Sequence, residues 1–172
     1  MRVLTLVVLL AVAMAAQPSE LLAPPEHRAV AGAKRLAAAM RAGDAKTVTG
    51  LTLPDLVWAG GGAEKMAESL NRKFDEVKRK GGQISIDLGT ASKMGRSGDI
   101  YYLFVPYVLK SRTEERSVTD EAFYLAISDD AGENWHYVDG IGLSEADMSR
   151  IFVPGYRGDP PFPSARRRVE EH

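Results

Sequence analysis

Asp99-Ile100-Tyr101-Tyr102-Leu103-Phe104-Val105-Pro106-Tyr107-Val108-Leu109 opens the stretch that decides the fold, and Ser128-Asp129-Asp130-Ala131-Gly132-Glu133-Asn134-Trp135 is its tightest point. From Asp99 to Gly140 the chain reads as three consecutive antiparallel strands, Asp99 to about Ser111, Ser117 to Ser128 and Asn134 to Asp139. At the second turn, Asp130 can accept backbone N–H bonds and Gly132 can take a positive φ without a Cβ penalty. The first of these strands is apolar on both faces. Ile100, Tyr102, Phe104 and Val108 lie on one side, and Tyr101, Leu103, Val105, Tyr107 and Leu109 on the other. Both faces therefore need a cover. Helices are expected on one and a second subunit on the other, which predicts a homodimer. Pro106 cannot donate to a ladder, so a bulge or a partial edge is expected there.

Outward from this stretch, Ile84, Ile86 and Leu88 alternate with polar residues and predict another strand from Gln83 to about Ser92. Before it, Ala63, Met66, Ala67, Leu70, Phe74 and Val77 form one helical stripe over Ala63 to Lys80. Most of that stripe is expected in the core, with Leu70 and Phe74 buried. A first helix opens at Pro25 and ends at Gly43, with Val30, Ala33, Leu36, Ala37 and Met40 on its inner face. Asp44 is placed to cap a short second helix, and Pro54 starts a brief turn through Trp58. Gly60-Gly61-Gly62 reads as a hinge, because no strand precedes it and no Gly-Lys-Ser/Thr ending follows. After Gly140, Ser144 caps a last helix, Glu145 to about Phe152. Helices followed by strands indicate α+β, with N-terminal helices packed on a curved antiparallel sheet.

Residues 1–16 read as a signal peptide: Arg2, the apolar run Val3 to Met14, then Ala13-Met14-Ala15 as the small-x-small cleavage pattern. The run is too short to span a bilayer, so no membrane segment is expected in the mature form. Export to the periplasm or medium is the expectation. Residues 17–25 form a linker, 26–152 the domain, and 153–172 a Pro- and Arg-rich tail expected to be mostly disordered, with its first half laid on the domain as the alternative. The chain has no Cys, and its 22 basic residues face 23 acidic ones. No disulfide, thiolate nucleophile or Cys-bound metal follows, and no nucleic-acid partner is indicated. The three histidines show no His-x-x-x-His pair, so neither a metal nor a cofactor is expected.

The whole of residues 26–142 resembles the NTF2-like superfamily, in which a curved sheet wraps a long helix and leaves a conical pocket (the cystatin-like arrangement). Arg41-Ala42-Gly43-Asp44, Leu51-Thr52-Leu53-Pro54, and Val105-Pro106-Tyr107 with Asp130-Ala131-Gly132-Glu133-Asn134-Trp135 carry the resemblance. It looks like the small exported bacterial members without assigned activity. Enzymes of the superfamily place Asp, His or Tyr in the pocket, but no catalytic motif of theirs matches here. The turn also resembles the Asp-box of sialidase-like propellers. It occurs once, in a chain too short for a propeller, so it explains a hairpin and implies no glycosidase.

The resemblance implies a pocket between the third long element, Ala63 to Lys80, and the concave sheet face. Trp58 is expected near its mouth, with Tyr107, Trp135 or Tyr137 as walls. The expected role is non-catalytic binding of a small apolar ligand or of a protein at the sheet face. The alternative is a dehydratase- or isomerase-type enzyme. It would use Asp139 or Asp87 with His136 or a Tyr as its acid–base pair. For His136 the competing reading is a half-exposed strand residue, and for Asp139 an Asp-Gly turn.

Overall fold

The computed structural model describes residues 23–172. The signal-peptide reading, and the linker up to residue 22, lie outside the described residues. Four helices come first: α1 (Pro25–Ala42), α2 (Ala45–Leu51), α3 (Pro54–Ala59) and α4 (Ala63–Arg79). Strands β1 (Gln83–Leu88), β2 (Gly95–Ser97), β3 (Ile100–Arg112), β4 (Arg116–Ser128) and β5 (His136–Asp139) follow. A short α5 (Glu145–Asp147) runs into a π-helical turn, Met148–Phe152, and β6 (Arg166–Glu171) closes the chain. The order is helices, then an open antiparallel sheet: an α+β fold with helices packed on a curved sheet.

The sheet runs β1-β3-β4-β5, with β2 paired to β3 and β6 paired to β4. Period two sorts the side chains of the central strands. Leu103, Val105 and Tyr107 of β3, with Ala122, Tyr124 and Ala126 of β4, face the helices. Tyr102 and Phe104, with Phe123, Leu125 and Ile127, face the other way into a second core. That second core is covered by the chain's own C-terminal segment. Met148, Val153 and Tyr156 are buried in it, and Phe162 packs against both Phe104 and Phe123. The two-faced strand was the ground for expecting a second subunit, and this segment removes that ground.

The tail also departs from the expectation of disorder. It continues as β6, in register with β4 from Arg116↔Glu171 to Glu121↔Arg166. Its anchor is Arg167, whose guanidinium donates to both oxygens of Asp120 at 2.7 and 2.8 Å. Asp120 is only 4% exposed. A carboxylate so placed needs a cation, and a bidentate arginine is the geometry that satisfies both oxygens. Arg166-Arg167-Arg168, followed at once by Glu170 and Glu171, read from the sequence as a solvated tail cluster, because nothing near them along the chain marks Asp120 as a partner.

Pro106 needs no bulge. It stands opposite Phe123 in an unbroken register, and its carbonyl accepts from Gly89 N–H on the β1 side. N and C=O of one strand residue point to the same side, so the missing donor faces the place where β1 has already ended at Leu88. Regular pairing stops there, short of the strand end expected near Ser92, although Ser92 N–H still donates to Phe104 C=O. The chain returns as β2, which had no signal of its own.

The turn between β4 and β5 closes on its own side chains. Ser128 Oγ donates to Asp130 Oδ1 at 2.6 Å and accepts from Gly132 N–H at 2.9 Å. Asp130 accepts from the backbone N–H groups of Glu133 and Asn134 and from the Asn134 amide. Gly132 takes φ +80° and lies against Pro25 at the start of α1. Burial by itself would raise the Asp130 pKa. The Asn134 N–H, the Ser128 hydroxyl, the Asn134 amide and the Glu133 N–H outweigh it and hold the carboxyl at about 2. A depressed carboxylate stabilises the fold above its unfolded pKa of about 3.9 and loses that contribution as pH falls toward the folded value. Asp130→Asn should therefore cost about 1–2 kcal/mol at neutral pH, discounted for the partial exposure of the group. It should also flatten the loss of stability below pH ~4. Urea unfolding at a series of pH values checks both, and an unchanged acid limb would remove this account of the turn.

Candidate functional site

The inner face of β5 and β4 meets α4 across a cavity of about 490 Å³. Its walls are Leu36 and Met40 of α1, Val48 of α2, Leu56 of α3, and Met66 and Leu70 of α4. Its polar groups come from two sides. Tyr124, Tyr137 and Asp139 stand on the sheet, and Lys65, Ser69 and Lys73 on α4.

The cavity explains the burial of α4. The helix has one continuous apolar stripe, yet Phe74 alone of its residues is fully buried. Met66, Ala67, Leu70 and Val77 remain half-buried, so the expectation that Leu70 is core is corrected. Phe74 packs beside Gly43, whereas Met66 and Leu70 line the cavity, Leu70 also touching the inner core.

Three tyrosines approach this region, and their hydroxyls have different fates. Tyr137 donates to Ala29 C=O at 2.6 Å, tying β5 to α1. Tyr107 donates to Asp139 Oδ1 at 2.7 Å, and its ring lies 4.5 Å from that of Tyr124. Tyr124 is buried and lines the cavity, but its hydroxyl bonds to none of the described residues and is not sealed off. Asp139 also accepts from Ile141 N–H through Oδ1, which leaves Oδ2 without a hydrogen bond among the described residues. Tyr124 and Asp139 are direct cross-strand partners. The cavity thus holds an unused O–H donor beside an unused carboxylate oxygen.

Burial pushes all three phenols well above the ordinary tyrosine range. The Asp139 charge adds to this for Tyr107 and Tyr124, and Arg35 opposes it for Tyr137. They are hydrogen-bond donors at neutral pH, never phenolates. Tyr107 acts on the site through Asp139, which it holds in place.

His136 and Asp139 do not meet. Three residues apart on one strand, they point to opposite faces. His136 lines a separate cleft of about 400 Å³ with Arg28, Arg35, Asn134 and Trp135, and its Nδ1 is buried without a partner among the described residues. Trp135 is buried there, its Nε1 donating to Gly132 C=O at 3.0 Å within the turn. Trp58 is 83% exposed and lines a neighbouring apolar groove with Pro54, Val57, Ala63 and Ala67 rather than the cavity. Asp87 is exposed on β1, opposite Val108. Of the residues expected at a pocket, the structure brings together Tyr137 and Asp139, with Tyr107 behind them. Tyr124, Met66, Leu70, Lys65 and Lys73 are added by the structure. Helical spacing places 66 and 70 on one face and 65, 69 and 73 on the next line of the helix, but it does not show that a void lies beneath.

Among the described residues, no group of three or more His, Asp or Glu side chains could hold a metal ion, and no helix is long and apolar enough to cross a membrane. Compared with protein-family models, curated proteins and solved structures, the chain finds no match.

Proposed function

We propose that this is an exported domain that binds a small, mainly apolar ligand between α4 and the concave sheet face, in the manner of the NTF2-like cone. The observation that carries the reading is the half-buried roof. Met66 and Leu70 belong to a continuous apolar stripe yet stay only half-buried, because part of each lines the cavity, although Leu70 also packs against the inner core. Filling such a space gains roughly 25 cal/mol for each Å² of apolar surface withdrawn from water. The volume lies within the usual range of ligand pockets, roughly 300–1,000 Å³. The Tyr124 hydroxyl and Asp139 Oδ2 supply the few polar groups that orient a ligand. Export is supported by the apolar run Val3 to Met14 and its small-residue end.

The test fills the void from within. Leu70→Trp should leave the fold intact and weaken binding of the neutral fluorophore N-phenyl-1-naphthylamine by at least about tenfold, as a blocked apolar pocket requires. Fluorescence titration of both proteins reads the result. No binding to the parent protein, or binding indifferent to Leu70→Trp, would refute the reading.

A second reading is favoured by one feature, the Asp139 carboxylate held by Tyr107 beside the free Tyr124 hydroxyl. Such a pair could move a proton in a dehydratase or isomerase reaction. Turnover in a screen of such substrates, abolished by Asp139→Asn, would carry it. Without turnover the binding reading stands alone.

A further inference from the structure

We propose that the cavity selects an amphipathic monocarboxylate, its headgroup held by Lys65 and Lys73 and its apolar body under α4. This rests on the cavity's being a ligand site and goes on to name the ligand's chemical class.

Lys65, Ser69 and Lys73 follow one another at four-residue steps along α4, on the line of the helix next to Met66 and Leu70. All three line the cavity. Among the described residues neither lysine has an ion pair. Glu68 and Glu76 stand three positions on, within reach in a helix, yet Glu76 pairs with Lys80 at 3.8 Å and Glu68 pairs with none. The two ammonium groups are therefore not committed to the helix surface.

The glycine loop positions one of them. Gly61 takes φ +91°, and a Cβ built there would lie 2.9 Å from Lys65 Cδ and 3.7 Å from its Nζ. Gly60 makes room in the same way for Met66, whose Cε would lie 3.1 Å from a Cβ at that position. The absence of side chains at 60 and 61 lets the Lys65 stem fold against the loop at the cavity's edge. This gives the Gly60-Gly61-Gly62 stretch a role beyond that of a hinge.

Electrostatics then sets the orientation. On the sheet side, the Asp139 carboxylate accepts hydrogen bonds from Tyr107 and Ile141 and is a poor neighbour for an anion. On the helix side, two cations and the Ser69 hydroxyl can donate. A carboxylate headgroup therefore lies toward α4, and the chain runs inward against Leu36, Met40 and Val48. An apolar amine would have the reverse polarity and would meet two like charges at the helix.

The experiment compares two chains of equal length with different heads, decanoate and 1-decanol, as competitors of N-phenyl-1-naphthylamine just above neutral pH. Decanoate should bind about tenfold tighter than 1-decanol, the effect expected of partly exposed ion pairs. The double variant Lys65→Ala/Lys73→Ala should abolish that difference. Lys65→Arg/Lys73→Arg should keep it. Both lysines are exposed, so the variants should fold, and circular dichroism confirms it. Equal affinity of acid and alcohol, or an acid preference that survives the double alanine variant, overturns the selectivity but leaves the cavity reading standing. If neither chain competes while the fluorophore binds and Leu70→Trp blocks it, this inference alone fails. If the fluorophore itself does not bind, both fall.

Discussion

Truncation of Phe74 to alanine should destabilise the protein by about 3–5 kcal/mol, the range for removing a buried aromatic side chain from a core. Phe74 is the one fully buried residue of α4, and its Cβ lies against the Gly43 turn between α1 and α2. It anchors the C-terminal half of the helix in the inner core, on which Ala67 and Leu70 pack only half-buried, Leu70 and Met66 also lining the cavity. The site cannot collapse easily. Gly43 has no side chain to move inward, and the neighbouring cavity already leaves the helix short of contacts. Leu70→Ala is the control. Leu70 is half-buried at the cavity wall, so its truncation should cost less than half as much. Urea midpoints of the two variants give the comparison. A loss below ~1 kcal/mol for Phe74→Ala, or a larger loss for Leu70→Ala, would mean that α4 is held from its other end. The same variant should also weaken ligand binding, because the roof of the cavity is the helix that Phe74 holds down.

The second large effect is expected at Gly32, where local and tertiary preferences oppose each other. In the interior of α1, replacing glycine by alanine favours the helix by up to about 1 kcal/mol. In this fold the substitution should instead cost about 2–4 kcal/mol. Gly32 is buried, and a Cβ on it would run into the Tyr137 hydroxyl, with Tyr137 Cζ 3.0 Å away. The ring must move, and with it goes the 2.6 Å hydrogen bond to Ala29 C=O. Overpacking and the loss of a buried hydrogen bond each cost about 1–3 kcal/mol, more than the helix gains. Tyr137→Phe separates the two terms. It removes the clashing oxygen, so Gly32→Ala should be much less costly in that background. A double-mutant cycle by denaturant unfolding reads the coupling. Additive costs would show that the close approach of α1 to β5 is not what requires glycine.

Several parts of this fold are legible in a few residues of sequence. The period of 3.6 in Met66, Leu70, Phe74 and Val77 and the period of two in Ile84, Ile86 and Leu88 identify α4 and β1. Gly43 and Asp44 mark where α1 stops and α2 starts. The structure shows Gly43 at φ +72° and Asp44 accepting from Thr47 N–H at 3.0 Å. The turn at 128–135 was readable because its bonds join residues within four positions of one another. The site was legible only in outline. A helix over a concave sheet suggests a pocket, and Tyr137 and Asp139 lie at that face. The period of two also puts His136 and Asp139 on opposite faces of their strand.

Near neighbours along the chain suffice to place most helices and strands, β2 and β6 excepted, to close the tight turn, and to make β3 apolar on both faces. What covers those faces, and which polar groups remain unused, depends on contacts that exist only in the folded chain. Val153, Tyr156, Pro160 and Phe162 cover the outer face without any period, because an irregular segment fits a surface already built and has no repeat of its own. Arg167 stands apart from solvated arginines only once β6 brings it to Asp120, 47 positions away. Tyr137 finds its acceptor 108 positions away in α1, and Tyr107 finds Asp139 across 32. Tyr124, alike in composition and strand, is left with a free hydroxyl because neither acceptor falls to it. Whether a tyrosine is core or site is a property of what the fold brings to its oxygen, and that depends on contacts between residues far apart in the chain.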